Sequence, residues 1–211
     1  MMTQINRIIL VPGLFEPRFA LAPLRSYLQN RWPRVDVFRD RIAFRDLDQS
    51  VARLAAMIAG GDDEQEVIGI VTHSFGDWIA RQAIARSAHH RVAALVSLAP
   101  AMSAGLLPIG LYCLSGNTIP EIGVLMEPSR ALANLDCDRR VHRLVIWAKT
   151  DESVRETELH HLPEINVERV VATHLTVIFQ PNVMRMIHEF LSQSGLASMQ
   201  RSLDSSNDGL S

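Results

Sequence analysis

Short, β-branched apolar runs alternate with segments of helical periodicity along most of this chain, and that alternation restricts the fold more than any other feature. Residues 8–11, Ile-Ile-Leu-Val, end at Pro12-Gly13; an unbroken apolar run of this kind belongs to a strand buried on both faces. Residues 18–30 carry Leu21, Leu24, Tyr27 and Leu28 at helical spacing, with Pro23 confined to the first turn. A short strand is expected at 35–38 and a helix at 46–59, where Asp46 and Gln49 have capping-box spacing. Gly60-Gly61-Asp62-Asp63 breaks the chain. Further strands are expected at 67–71, 92–98 and 144–148, with a weaker one at 168–172. Helices are expected at 75–88 and 181–191, the second with Pro181 in its first turn. Strands alternating with helices imply right-handed crossovers and a parallel sheet covered on both faces. Ligands of such sheets bind beyond the carboxyl ends of the strands, so chemistry is sought after residues 11, 71, 98, 148 and 172.

Composition removes several classes of function. The 211 residues suffice for one sizeable core, and 47% hydrophobic with 21% charged residues marks a folding chain. A formal charge of -2 gives no electrostatic reason to expect a nucleic-acid partner or a general membrane-surface binder. The longest apolar runs are about ten residues, too short for a spanning helix, so no integral membrane association is expected. Cys113 and Cys137 cannot form a disulfide framework or a four-cysteine zinc site. The run 8–11 is too short for a secretion signal, which makes a cytoplasmic location the expectation. Arg31, Arg34, Arg39, Arg41 and Arg45 form a basic stretch, but Asp36, Asp40, Asp46 and Asp48 interrupt it, as on an ion-paired surface. A single domain over 1–191 is expected, followed by a polar tail, 192–211, expected to fray.

The strand 67–71 runs into Thr72-His73-Ser74-Phe75-Gly76 and then a helix. A strand–turn–helix with small residues two before and two after a serine has the form of a nucleophile elbow. It presents the Ser74 hydroxyl over a helix N-terminus, whose partial positive charge favours a developing anion. A serine hydroxyl needs a base. Of the eight histidines, His174 alone follows a late strand and precedes a loop and terminal helix; His73, on the sharp turn, should point away from the hydroxyl. The base needs an acid to fix its tautomer, and Asp151 follows the strand 144–148, with Glu152 as the nearest alternative. An oxyanion hole is expected from the backbone amides of Phe75 and of Leu14, in the Gly13 turn after the first strand.

At these residues the chain resembles the α/β-hydrolase superfamily, most of all its small lipases and esterases with little or no lid. The resemblance rests on Val-Pro-Gly-Leu-Phe after the first strand, His-Ser-Phe-Gly at the elbow, Asp-Glu-Ser-Val after a late strand, and His174; it spans 7–191. It implies an α/β-hydrolase fold with a mainly parallel sheet of about six strands and helices on both faces. It maps nucleophile, acid and base onto Ser74, Asp151 and His174, in that chain order. Pro12, Thr72 and Asp77 depart from common forms of the motifs, and no glycine precedes His174; the charge of Asp77 near the site would disfavour acidic substrates.

Residues 101–140 form an apolar insert with two readings: a small cap lining an acyl pocket, or ordinary core helices. The first makes Phe15, Leu106, Leu111 and Met126 pocket residues. Trp147 and Trp78 are expected in packing roles, Trp32 is expected to be exposed, and Cys113 is expected to be a buried thiol. The sequence therefore points to hydrolysis of carboxylic esters with a hydrophobic acyl chain, without metal or organic cofactor, on a small-molecule ester or lipid. The rivals are a thioesterase with the same machinery and a hydrolase-like protein that binds an apolar ligand or partner without turnover.

Overall fold

The computed structural model describes residues 4–40, 46–59 and 65–207, with the side chains of the last helix described to Gly195. The strands are β1 (Arg7–Val11), β2 (Arg34–Val37), β3 (Ile68–His73), β4 (Val92–Leu98), β5 (His142–Ala148) and β6 (Ile165–Val170). They form one six-stranded sheet in the order β2-β1-β3-β4-β5-β6, and every pairing is parallel. The chain steps outward from β1 to β2, then returns past β1 to β3 and continues the other way. That reversal makes the hydrogen-bonded pair β1 and β3 the switch point of the sheet, where successive connections leave in opposite directions, and the carboxyl ends of these two strands carry the Gly13 turn and Ser74.

Alternate residues of the central strands feed two cores. Ile9, Val11, Ile70, Leu95, Val145 and Trp147 pack on α2 (Leu47–Ile58) and α3 (Gly76–Arg86). Ile8, Leu10, Val71, Val96, Leu144 and Ile146 face α1 (Ala22–Gln29) and the start of α7 (Pro181–Asn207). Both faces of β1, β3 and β4 are buried, which is why they read as continuous apolar runs. At the start of α2 the Asp46 carboxylate accepts from the amides of Asp48 and Gln49, and the Gln49 side chain donates back to it at 3.3 Å.

Several expectations shift. The helix expected over 18–30 is a 3-10 turn, Arg18–Leu21, followed by α1, because Pro23 has no amide for an earlier helical bond. β6 begins three residues earlier than the pattern 168–172 and ends at Val170; it is an edge strand with exposed positions, so its apolar signal is diluted. α7 continues through the polar tail to Asn207 instead of ending near Leu191. Trp32 is buried, packed edge-to-face on His188 of α7 with centroids 5.4 Å apart. Of the basic stretch, Arg34 pairs with Asp36 and Glu66, which also hold Arg7 from β1. Arg41, Arg45 and the Gly60-Gly61-Asp62-Asp63 break lie outside the described residues.

The insert after β4 divides between its two readings. α5 (Pro120–Met126) buries Ile122, Val124 and Leu125. α4 (Leu106–Ser115) buries only Pro108 and leaves Leu106, Leu107, Leu111 and Leu114 exposed. Cys113 lies on this helix and is exposed, not buried. No helix of the described residues is long and apolar enough to cross a membrane.

Candidate active site

Three strand ends converge on Ser74. It follows β3 with φ of 52°, in the left-handed region that L-residues rarely occupy. Its amide donates to the Leu98 carbonyl at 2.9 Å, and its carbonyl accepts from Ala101 at 3.1 Å and Asp77 at 3.2 Å, so the turn is tied to β4 and to α3. Glycine is required beside it for steric reasons. A Cβ on Gly76 would stand 2.5 Å from the Val11 carbonyl oxygen, and one on Gly13 would stand 2.8 Å from Cβ of Ser74. Thr72 is accommodated because its hydroxyl donates to the Val96 carbonyl at 3.3 Å inside the sheet.

His174 comes from the loop after β6, 2.9 Å from Ser74 Oγ through Nε2 and 2.8 Å from Asp151 Oδ2 through Nδ1. A carboxylate only accepts, so Nδ1 carries the proton and Nε2 is left to accept from the serine hydroxyl. Asp151 is itself anchored: its Oδ1 accepts from the amides of Ser153 and Val154, both at 2.8 Å. Glu152 meets the His174 amide at 3.4 Å and not the ring, so Asp151 is the carboxylate hydrogen-bonded to the imidazole. Thr150 ties the two loops through its hydroxyl, which donates to the Ala172 carbonyl at 2.6 Å. A 3-10 turn, Thr176–Phe179, closes the His174 loop, with the Thr173 amide donating to Thr176 Oγ1 at 2.9 Å.

Leu14 follows Gly13, on which a Cβ would meet Ser74, and Phe75 follows Ser74 directly in the chain. The Leu14 and Phe75 amides donate to no acceptor among the described residues, whereas the Gly13 amide is taken by Oε2 of Glu16 at 2.6 Å. The side chain of Phe75 is buried and stacks on Trp78, whose indole N–H donates to the Arg130 carbonyl at 2.8 Å. Trp78 thus braces the insert and not the helix–sheet contact alone.

Asp77 contributes no charge to the substrate side. It is fully buried, accepting from Ser97 at 2.6 Å and from Arg81 at 2.8 Å, with Arg143 at 3.4 Å. Burial alone would raise its carboxyl; Arg81, Arg143 and Ser97 outweigh that and hold it below the ordinary carboxylate range. The expected effect on acidic substrates therefore falls away.

The proposed pocket residues are not enclosed together. Phe15, Leu106 and Leu111 are exposed and Met126 is half-buried. The insert does reach the site at its start, where Ala104 bridges Val154 and the Gly105 amide donates to Ser153 at 3.0 Å beside Asp151. A separate cavity of about 780 Å³ lies along β2, between arginines such as Arg18, Arg25 and Arg39, and contains no residue of the Ser74 cluster. Two residues went unassigned in the sequence: Glu16 and His73, buried and joined at 2.9 Å. Four residues after the first strand's proline, Glu16 carries no pattern that marks it, and the sharp turn says of His73 only that it should point away from the hydroxyl.

No family model matches the chain, and no curated protein matches it significantly by sequence. Solved structures do match. A candidate hydrolase of the α/β superfamily from Xanthomonas campestris pv. campestris is 17% identical with a TM-score of 0.59, covering 89% of this chain and 96% of its own. A pyrethroid hydrolase from Sphingobium faniae JZ-2 is 14% identical with a TM-score of 0.57, covering 89% and 98%. A serine hydrolase involved in carbazole degradation is 16% identical with a TM-score of 0.57, covering 90% and 92%. At these identities the likeness establishes the fold: the chain has the α/β-hydrolase fold.

Proposed function

We propose that the protein is a serine hydrolase that cleaves carboxylic esters with a hydrophobic acyl chain. The observation that carries the reading is the unbroken hydrogen-bonded chain from Ser74 Oγ through His174 to Asp151, at 2.9 and 2.8 Å. Neighbours of the same fold that are hydrolases, a serine hydrolase among them, support it.

In this reading Ser74 Oγ attacks the ester carbonyl as its proton passes to Nε2 of His174. Asp151 orients the ring and stabilises the imidazolium. The Leu14 and Phe75 amides, which meet no acceptor among the described residues, donate to the oxyanion, each worth ~3 kcal/mol in the transition state. His174 returns the proton to the departing alkoxide, leaving an acyl-enzyme. Water then attacks the acyl carbon, losing its proton to His174; the acyl–Oγ bond breaks, His174 hands that proton to Ser74 Oγ, and the carboxylic acid leaves and ionises. The preference for an apolar acyl group rests on exposed Phe15 and Leu175, neighbours in sequence of Leu14 and His174, and on Leu106 and Leu111 of α4.

The test is turnover of p-nitrophenyl esters of increasing chain length, with a thioester series beside it, by wild type and Ser74→Ala. Ester turnover that rises with chain length and disappears in Ser74→Ala supports the reading. Preference for the thioesters would reassign the substrate. Turnover that survives in Ser74→Ala would refute the mechanism.

A further inference from the structure

Both ring nitrogens of His73 face atoms that accept hydrogen bonds. Nδ1 lies 2.9 Å from Oε2 of Glu16, and Nε2 lies 2.9 Å from the carbonyl oxygen of His174. A carbonyl has no proton to give, so Nε2 must carry one. A neutral imidazole then has a bare Nδ1, and a carboxylate has nothing to donate to it. The two contacts coexist only when Glu16 and His73 together hold one proton more than a carboxylate and a neutral imidazole do. The Gly13 amide donates to the same Oε2 at 2.6 Å, which favours the carboxylate form and puts the extra proton on His73. Both side chains are buried, at 2% and 4% exposure, so water does not dilute their attraction. Burial alone would raise the Glu16 carboxyl. The His73 hydrogen bond and charge, the Gly13 amide and the nearby His174 ring outweigh that and hold it below its ordinary value.

We propose that Glu16 and His73 are positioning residues: an imidazolium–carboxylate pair that clamps the loop of the general base to the loop of the oxyanion donor. The inference rests on the reading of Ser74, His174 and Asp151 as a hydrolase site. At one end Glu16 accepts from the Gly13 amide, next in the chain to the Leu14 amide, which meets no acceptor among the described residues. At the other end His73 holds the main chain of His174, whose ring is engaged by Asp151 and Ser74 and whose amide faces Glu152. The base is therefore held by its ring and by both sides of its backbone. The charged and titratable groups facing the pair are thus His174, with Asp151 and Glu152 behind it on the loop after β5. The other Glu16 oxygen, Oε1, is buried with no hydrogen-bond partner among the described residues, so the carboxylate depends on its Oε2 contacts. Removing His73 alone would strand a buried charge; removing the charge at the same time would not.

Two measurements test the proposal. The first is heteronuclear NMR of the imidazole nitrogens at neutral pH. Wild type should show His73 protonated at both nitrogens. Glu16→Gln, whose amide can donate to Nδ1, should show it protonated once. A singly protonated His73 in wild type would overturn the pair. The second is kinetics of the double variant Glu16→Gln/His73→Phe, which carries no stranded charge, on p-nitrophenyl butyrate. We expect melting near that of wild type, kcat lower by ~10- to 100-fold and KM little changed, as for a misplaced base. Unchanged kcat in the folded double variant would overturn the positioning role, and Glu16→Gln alone should lose less than the double variant. If wild type itself neither turns over esters nor takes a fluorophosphonate on Ser74, the hydrolase reading fails and the positioning role with it. The ring-proton count still decides whether the pair exists.

Discussion

A Cβ built on Gly76 would stand 2.5 Å from the carbonyl oxygen of Val11, so the turn after the serine and the loop after β1 touch backbone to backbone. A contact this close between the two backbones is expected to control the spacing between the Ser74 hydroxyl and the Leu14 amide. Gly76→Ala should therefore push the two loops apart. We expect a loss of ~1–3 kcal/mol in stability from overpacking, together with a fall in kcat of ~100-fold from misplacement. Thermal melts beside ester kinetics check this; wild-type kcat in Gly76→Ala would show that the close contact does not position the site.

Asp151→Asn should leave the fold intact but reverse the tautomer that the carboxylate imposes on His174, because the amide can donate to Nδ1. The expected fall in kcat is ~1,000- to 10,000-fold, with a smaller effect on KM. Glu152→Gln should change kcat far less, since Glu152 meets only the His174 amide. Equal losses in the two variants would reverse the assignment of the acid.

Asp77 is the electrostatic centre of the α3–β4–β5 contact, held by Arg81, Arg143 and Ser97. Asp77→Asn should cost ~3–5 kcal/mol, because two buried guanidinium groups lose their counter-charge. Its carboxyl is depressed in the folded state, so the unfolded chain binds its proton first as the pH falls. The stability it supplies is present above the ordinary carboxylate range and is lost as the pH drops through the folded value. Glu16 has the same sign. Melting temperature should therefore fall on acidification, and the gap between wild type and Asp77→Asn should narrow. A gap that widens on acidification would contradict the sign.

Leu111 is exposed on α4, a helix without a charged residue. Leu111→Ser should cost little stability, as for a surface position, and should shift ester preference toward shorter acyl chains. An unchanged chain-length profile would remove α4 from the substrate path.

The candidate site was legible in the sequence because each of its members follows a strand of a parallel sheet, and the topology alone brings those ends together. Ser74, Asp151 and His174 needed only the chain order and the strand ends to be placed. The fold was legible for the same reason: β1, β3 and β4 are buried on both faces and read as apolar runs. Edge strand β6 was placed late because half of its pattern faces solvent. Glu16 and His73 lie 57 positions apart, and their pairing follows from the close approach of two loops that no periodicity announces. Trp32 misled because the residue before a proline at a helix end looks exposed, whereas His188, far along the chain, covers it. The insert was ambiguous because apolar composition does not distinguish α5, which is buried, from α4, which is not.

The proposed activity requires Ser74 to be a nucleophile activated by His174, whose Nε2 lies 2.9 Å from its Oγ. Fluorophosphonate labelling followed by peptide mapping tests that most directly. Wild type should take one label, on Ser74, and His174→Gln, folded by its melting curve, should label far more slowly. An unlabelled Ser74 in folded wild-type protein, or equal labelling rates in the two proteins, would contradict the account.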